Sequence, residues 1–213
     1  VFPHQDLVGR ISPSGYTAYD DGRGTIDCNG HGTHVSTTAA GTQYGIAKNA
    51  TIVPVRLLNC NGSGAYSGVI AALDWILSPA NPNPKTQAVL NLSIGGGKSD
   101  ALNDAIERIV NAGITAVVAA GNDRLDACTK SPASAINAIT VGATEIGDTK
   151  ASYTNFGTCV DINAPGSLTA SPCALVTISP VTGCPSLFTL PASLRSNATE
   201  LERLTEVVFR LML

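Results

Sequence analysis

The stretch Asn29-Gly30-His31-Gly32-Thr33-His34-Val35 decides how the rest of the chain is interpreted. It follows a polar, glycine-bearing loop (20–28) and opens a run of small, helix-compatible residues (36–40). A helix beginning here would place His31 in its first turn, beside unsatisfied backbone N–H groups and the positive end of the helix dipole. That setting favours the neutral imidazole that a general base needs. The segment alone leaves three interpretations: a catalytic histidine, a surface turn, or a metal site formed by His31 and His34.

The composition indicates one substantial hydrophobic core. The chain has 213 residues, of which 44% are hydrophobic and 14% charged, and it contains 21 glycines. These values suit a compact α/β protein with many tight turns and argue against disorder. The net charge is −3 and there is no block of Lys and Arg, so we expect neither nucleic acid nor a membrane as a partner. Because the sole methionine is Met212, we expect a processed chain or a fragment.

Hydrophobic periodicity predicts alternating strands and helices. Helices are predicted at 65–77, where Pro79 follows, and after a Ser99 cap, where Gly113 follows the end. Near-continuous apolar strands flanked by helices imply a parallel sheet whose two faces are covered. Functional residues should then gather at the carboxyl edge of the sheet, where Gly95 and Gly121 stand. The strands are predicted at 51–58, 87–94, 114–120, 139–141 and 160–162.

The character of the sequence changes after Gly166. Residues 167–194 contain four prolines and show no clear period, and residues 196–213 have the pattern of an amphipathic helix. We therefore predict two regions, 1–166 and a divergent segment at 167–213. For the C-terminal helix, core packing is favoured over a binding or membrane role.

The six cysteines suggest an oxidising compartment. No Cys-x-x-Cys pair is present near Cys28 or Cys60, so a zinc site is not expected. Cys173 and Cys184 could pair with each other or stay free.

Several motifs in fixed order together resemble the subtilisin-like serine proteases, most closely their proteinase K branch. The resemblance covers residues 4–166 and implies a three-layer α/β fold with a mainly parallel central sheet and helices on both faces. The motifs are Asp27-Cys28-Asn29-Gly30-His31-Gly32-Thr33-His34-Val35, Val55-Arg56-Leu57-Leu58 with Asn61-Gly62-Ser63-Gly64, Leu90-Asn91-Leu92-Ser93-Ile94-Gly95-Gly96, Ala119-Ala120-Gly121-Asn122, Ser131-Pro132-Ala133, Asn155-Phe156-Gly157 and Ala164-Pro165-Gly166.

The resemblance implies roles for two catalytic residues. His31 matches the general base, and Asn122 matches the asparagine that donates to the oxyanion of acyl transfer. Without the resemblance, Asn122 could equally be a turn residue after a strand.

Two further segments resemble the strands that flank the family's substrate. An extended peptide would lie between them as an added β-strand, and their glycines imply a broad pocket for apolar or aromatic side chains. Ordinary turn glycines are the alternative. The predicted substrate-binding residues are Gly62, Ser63, Gly64, Ser93, Ile94 and Gly95.

Disulfides and a metal site are also implied by the resemblance. Cys28 would pair with Cys60, and Cys128 with Cys159, as in secreted bacterial subtilases. A structural Ca²⁺ would be bound by the carboxylate of Asp161 and the backbone carbonyls of Ile136 and Ala138. A solvated or turn-bonded Asp161 is the alternative. The chain is therefore expected to be secreted, and we predict a monomer.

Two parts of the family pattern have no counterpart here. The catalytic aspartate would lie before Val1, and no Gly-Thr-Ser-Met-Ala segment follows Gly166. We therefore expect a serine endopeptidase domain of a kind that acts on proteins or peptides. We expect this chain itself to be inactive. Two alternatives are a pseudoprotease that binds peptides or inhibitors without cleavage, and a structural domain with a vestigial cleft.

Overall fold

A computed structural model of the chain describes residues 4–145 and 147–166. The predicted C-terminal segment 167–213, with its amphipathic helix and Cys173 and Cys184, lies outside the described residues. Within the described ranges no helix is long and apolar enough to cross a membrane. The helices are α1 (His31–Ala40), α2 (Tyr66–Leu77), α3 (Asp100–Asn111) and the 3₁₀ helices Gln5–Leu7 and Ala127–Thr129; the strands are β1 (Tyr16–Thr17), β2 (Val55–Arg56), β3 (Val89–Leu92), β4 (Gly96–Gly97), β5 (Thr115–Ala119), β6 (Lys130–Ser131), β7 (Ile139–Thr144) and β8 (Ile162–Pro165).

A four-stranded sheet in the order β3-β5-β7-β8 forms the centre of the fold, and all its pairs are parallel. Leu92 of β3 lies opposite Val118 of β5, which lies opposite Thr140 of β7. The central strand β5 is apolar because it is covered on both faces, and Val117 and Val118 are buried. The parallel sheet predicted from the apolar strands is confirmed.

Helix α3 packs one face into the main core, beside α2. Its buried residues recur every three or four positions, as the sequence predicted. Ser99 caps the helix, since its hydroxyl accepts the backbone N–H of Leu102. The buried face comprises Leu102, Ala105, Ile106 and Ile109.

A second, two-stranded parallel sheet pairs β1 with β2. A groove of about 750 Å³ lies between β2 and β3 and is lined by residues of both strands and of α1 and α2. Strand β2 is shorter than the predicted 51–58. Ile52 forms only an isolated parallel bridge with Ile11, and the continuous pairing with β1 covers just Val55 and Arg56. The other edge of β2 faces the groove.

The last strand of the main sheet also differs from its prediction. Residues 160–162 carry the β-branched signal, but β8 runs from Ile162 to Pro165. Val160 instead closes a turn by donating its N–H to the carbonyl of Gly157. Pairing with β7 therefore sets the position of β8, although Asn163 and Pro165 have low strand propensity.

Candidate active site

Helix α1 begins at His31 without the usual capping side chain. Its N-cap residue is Gly30, with φ of 103°. Glycine has no side chain that could accept the first backbone N–H groups of the helix. The carboxylate of Asp27 takes this role from three residues upstream. Four donors bind it at 2.8–2.9 Å: the backbone N–H groups of Asn29, Gly30 and Thr33, and the Thr33 hydroxyl.

The ionisation of Asp27 follows from these contacts. Burial raises its pKa, but the hydrogen bonds from Gly30, Asn29 and Thr33 lower it by more, so the net pKa lies below its ordinary value. Asp27 therefore stays ionised at neutral pH and adds a negative charge at the positive end of the helix. The loop and the first turn of α1 are tied together by one carboxylate.

The imidazole of His31 is exposed and lies over the segment that follows β3. Its Nε2 is 2.9 Å from the backbone carbonyl oxygen of Ser93. His34, one helical turn later, has its Nε2 buried without a hydrogen-bond partner. Burial and the neighbouring His31 lower the pKa of His34. Among the described residues, no three His, Cys, Asp or Glu side chains form a metal-binding group.

Asn122 leaves the main sheet beside the same segment. Because β3 and β5 are neighbouring parallel strands and Leu92 lies opposite Val118, the residues after both strands emerge at one edge. Ser93 and Gly95 follow β3 there, and Asn122 follows β5 and is exposed. His31 reaches this edge through Ser93, so the two predicted catalytic residues belong to the same side of the sheet.

The loop that carries Asn122 is held by a buried amide. This amide belongs to Asn155, which is 1% exposed. The backbone N–H of Asn155 donates to the carbonyl of Gly121 at 2.9 Å. This residue had no role assigned from the sequence. Its side-chain bonds are Asp123 N–H to Oδ1 (2.9 Å), Leu125 N–H to Oδ1 (3.0 Å) and Nδ2–H to the carbonyl of Ala120 (2.7 Å).

The predicted substrate segment 62–64 is fully exposed and is fixed at its base. Its loop is tied by the disulfide Cys28–Cys60, and the amide of Asn29 donates to the carbonyl of Cys60 at 3.2 Å. Gly62 has φ of 78° and a Cβ on Gly64 would lie 2.3 Å from the carbonyl oxygen of Leu57, so both positions require glycine. The loop is thereby attached to the residues just before His31.

The second predicted segment, 93–95, presents an open backbone. A Cβ on Gly95 would meet nothing within 4 Å. By contrast, a Cβ on Gly96 would lie 2.3 Å from the hydroxyl oxygen of Tyr66. That hydroxyl lies 2.7 Å from the carbonyl of Gly97 and 3.2 Å from that of Ser131, which links the start of α2 to the strands β4 and β6. The first residue of α2 therefore holds the strand β4, which directly follows this segment.

The predicted calcium ligands lie at the beginning of β7 and beside it. Asp161 is exposed, and its Oδ2 accepts the backbone N–H of Thr140 at 2.7 Å. Ala138 is two residues before Thr140, and Ile136, in the loop just before it, is 90% exposed. One carboxylate, main-chain carbonyls and open access for water form an oxygen donor set that suits a hard cation.

The comparisons with known proteins show the family of this chain. The family model described as "Subtilase family" matches residues 4–199. The chain belongs to the subtilase family. The match continues beyond Gly166, where the motifs recognised in the sequence ended.

Similar subtilases include an extracellular serine proteinase of Thermus sp. (strain Rt41A), 53% identical over 166 residues, which are 78% of this chain and 39% of that protein. Alkaline serine exoprotease A of Vibrio alginolyticus is 47% identical, over 77% of this chain and 30% of its own length. Subtilisin-like protease 3 of Arthroderma benhamiae is 49% identical, over 79% and 43%. The chain thus spans less than half the length of these relatives.

A solved structure supports the predicted three-layer fold. The crystal structure of a cold adapted subtilisin-like serine proteinase superposes with a TM-score of 0.71 and 46% identity, over 78% of this chain and 59% of that one. Both disulfides implied by the resemblance to subtilases, Cys28–Cys60 and Cys128–Cys159, are present. These disulfides and the extracellular relatives fit a secreted protein.

Two residues that support this subtilase site were not found from sequence. Asp27 was part of a recognised motif, and its position in an Asp-x-Asn-Gly turn before a helix was an available signal. Asn155 was also inside a motif, but its partners lie thirty or more positions earlier in the chain. No local pattern encodes such a contact.

Proposed function

We propose that this chain carries the peptide cleft of a subtilase serine endopeptidase, and that in its present form it binds extended peptides but hydrolyses them negligibly. The observation that carries the proposal is the 2.9 Å contact between His31 Nε2 and the carbonyl of Ser93. This contact places His31, which matches the family's general base, against Ser93, in one of the two segments predicted to flank a substrate.

The same contact supports negligible hydrolysis. A carbonyl oxygen only accepts hydrogen bonds, so a hydrogen bond at this contact requires the Nε2–H tautomer of His31. A general base must instead present an unprotonated nitrogen to the nucleophile. Loss of one triad member lowers rates by roughly four or more powers of ten, and residues 167–213 contain no Gly-Thr-Ser segment of the family's kind.

Peptide binding is proposed to use the exposed backbone on both sides of the cleft. Residues 62–64 and Gly95 are solvent-exposed, and no side chain covers Gly95. An extended peptide could form main-chain hydrogen bonds with both segments, which supplies affinity without demanding one side-chain sequence. The substrate class is therefore proteins or peptides in extended conformation.

A fluorescent peptide and a chromogenic peptide test the two halves of the proposal. We expect saturable binding of the first and no blank-corrected turnover of the second. Gly95→Val should weaken binding at least tenfold because the new side chain projects into open space beside the backbone. Gly97→Val is the matched control, since its Cβ also meets nothing within 4 Å. Turnover at rates typical of active proteases, or equal weakening by both variants, would contradict the proposal.

A pseudoprotease that binds without cleaving is the second candidate. It shares the cleft and differs from the first candidate in whether the gene encodes the family's aspartate and serine segments on either side of this region. Reading the DNA on both sides of this coding region separates the two. An Asp-Thr-Gly segment upstream and a Gly-Thr-Ser segment downstream, in any frame, favour an endopeptidase domain, and their absence favours the pseudoprotease.

We also propose a structural Ca²⁺ bound by Asp161 and the carbonyls of Ile136 and Ala138. Main-chain oxygens, one carboxylate and water suit this ion, and a ligand of the folded state alone raises the midpoint of thermal unfolding, Tm. We expect millimolar Ca²⁺ to raise Tm by several degrees and Asp161→Asn to abolish that rise. Asp104→Asn, an exposed change on α3, is the control. An equal rise in the Asp161 variant would exclude the site.

We also propose that the chain is secreted and that it is a monomer. The two disulfides and the extracellular relatives support secretion. Light scattering coupled to size-exclusion chromatography should give a mass close to 21.8 kDa.

A further inference from the structure

The side-chain amide of Asn155 makes three hydrogen bonds to the loop that follows β5. One oxygen accepts two backbone N–H groups, from Asp123 and Leu125, and the amide nitrogen donates to a backbone carbonyl, that of Ala120. The side chain that makes these bonds is buried, with 1% of Asn155 exposed. Asn122 lies between the anchored positions. The bonds therefore fix the backbone on both sides of the proposed oxyanion donor.

No other side chain of this size meets the same demands. An aspartate would place a negative oxygen against the carbonyl of Ala120. An alanine would remove the partner of the Asp123 and Leu125 N–H groups and of the carbonyl of Ala120, a buried residue. The neighbouring glycine is matched to it: Gly121 has φ of 99°, and a Cβ there would lie 2.5 Å from Nδ2 of Asn155. The two residues together determine the path of the chain into Asn122.

We infer that Asn155 is the positioning residue for Asn122. It contacts neither substrate nor reacting atoms, and it sets the direction in which the Asn122 amide leaves the loop. An oxyanion donor is effective when it is held in place before the charge develops, and an exposed side chain on a free loop would not be. The inference rests on the role proposed for Asn122.

The test follows Asn122 directly and does not require turnover. In the ¹⁵N-labelled full chain, Asn155→Ala should speed hydrogen exchange of the Asp123 and Leu125 amides at least tenfold. It should also shift the Asn122 side-chain NH₂ resonances toward random-coil values. Amides of β5 should keep their exchange rates. Thr154→Val is the matched control. Thr154 is buried like Asn155, and its hydroxyl accepts Ala143 N–H and donates to the backbone carbonyl of Asn155, but it bonds to no group of the loop that carries Asn122.

Asn155→Asp supplies a pH profile that loss of packing alone would not produce. At neutral pH its carboxylate keeps the two acceptor roles and repels the carbonyl of Ala120. Once protonated, the new O–H can donate to that carbonyl and restore the pattern. We therefore expect the Asn122 signals of this variant to return toward wild type as the pH falls from 7 to 4, with no such return in Asn155→Ala.

The outcomes separate this inference from the proposed function. Unchanged Asn122 resonances in Asn155→Ala, or equal changes in Thr154→Val, would overturn it. If Asn155→Ala does not fold, the pH-dependent return in Asn155→Asp decides, and its absence would overturn the inference. Failure of the wild-type chain to bind peptides would instead refute the proposed cleft, while the positions of the Asn122 signals would still report on Asn155.

Discussion

Asp27 and Asn155 each hold the backbone beside one of the two proposed catalytic residues, His31 and Asn122. Each accepts backbone N–H groups close to the functional side chain. A histidine in the first turn of a helix moves with that turn, and the turn at His31 has no capping side chain of its own. The carboxylate of Asp27 therefore stabilises the position of His31 as well as the fold.

Replacement of Asp27 gives a pH-dependent loss of stability. Its folded-state pKa is lowered, so its contribution is fully present above the unfolded-state pKa of about 3.9 and is lost as the pH falls through the folded-state value. We expect Asp27→Asn to lower the free energy of unfolding by about 1–2 kcal/mol at pH 7. The difference should shrink below pH 3.9. Urea unfolding at pH 7 and at pH 3 measures both values.

The control for this change is Asp104→Asn on the exposed side of α3. Asp104 is away from the first turn of its helix, so its replacement should alter stability by less than about 0.5 kcal/mol at either pH. A loss in Asp27→Asn that is the same at pH 7 and pH 3 would show that the carboxylate's charge is not the cause.

Sequence reasoning proposed candidate residues for the chemistry but did not find the residues that hold them in place. His31, Asn122 and Ser93 stand in ordered motifs, and the structure places them along one sheet edge. The supporting contacts of Asn155 join segments about thirty residues apart. Such contacts depend on tertiary packing, which periodicity and motif spacing do not describe.

Among the elements, helices were predicted more accurately than strands. Helix α3 has its own cap at Ser99 and a complete apolar face, so its limits are encoded locally. Strand β2 was predicted too long because a strand exists only where a neighbour pairs with it, and just two residues of β1 do so. Strand β8 was displaced for the same reason, since β7 sets its register.

The two disulfides should stabilise the chain equally but act on different elements. Their sequence separations are 32 and 31 residues, so the chain-entropy model assigns each about 3–4 kcal/mol. We expect Cys28→Ser/Cys60→Ser and Cys128→Ser/Cys159→Ser to lose similar free energies of unfolding in urea. Only the first should also weaken binding of the fluorescent peptide, because it frees the loop 59–64 from the segment before His31. Equal effects on binding would contradict this assignment.

At the level of the whole molecule, the groove divides the fold into two unequal parts. Helices α2 and α3 pack against the four-stranded sheet, and the residues between them form the larger hydrophobic cluster of the described residues. The two-stranded sheet is joined to α2 through the stacking of Tyr16 on Trp75, with ring centroids 5.6 Å apart. Between β2 and β3 there is a groove in place of a backbone ladder. The smaller part therefore has fewer interactions that oppose its opening.

Native-state hydrogen exchange should resolve these two parts. The amides of Tyr16 and Ala18 donate to the carbonyls of Pro54 and Arg56 in the small sheet, whereas Val117 and Val118 lie in the centre of the large one. Regions with less buried apolar contact open at lower free energy than the global core. We expect the first pair of amides to exchange at least tenfold faster than the second, with a weaker dependence on denaturant. If all four amides exchange with one free energy, the groove does not uncouple the sheets, and the helices alone transmit full cooperativity across it.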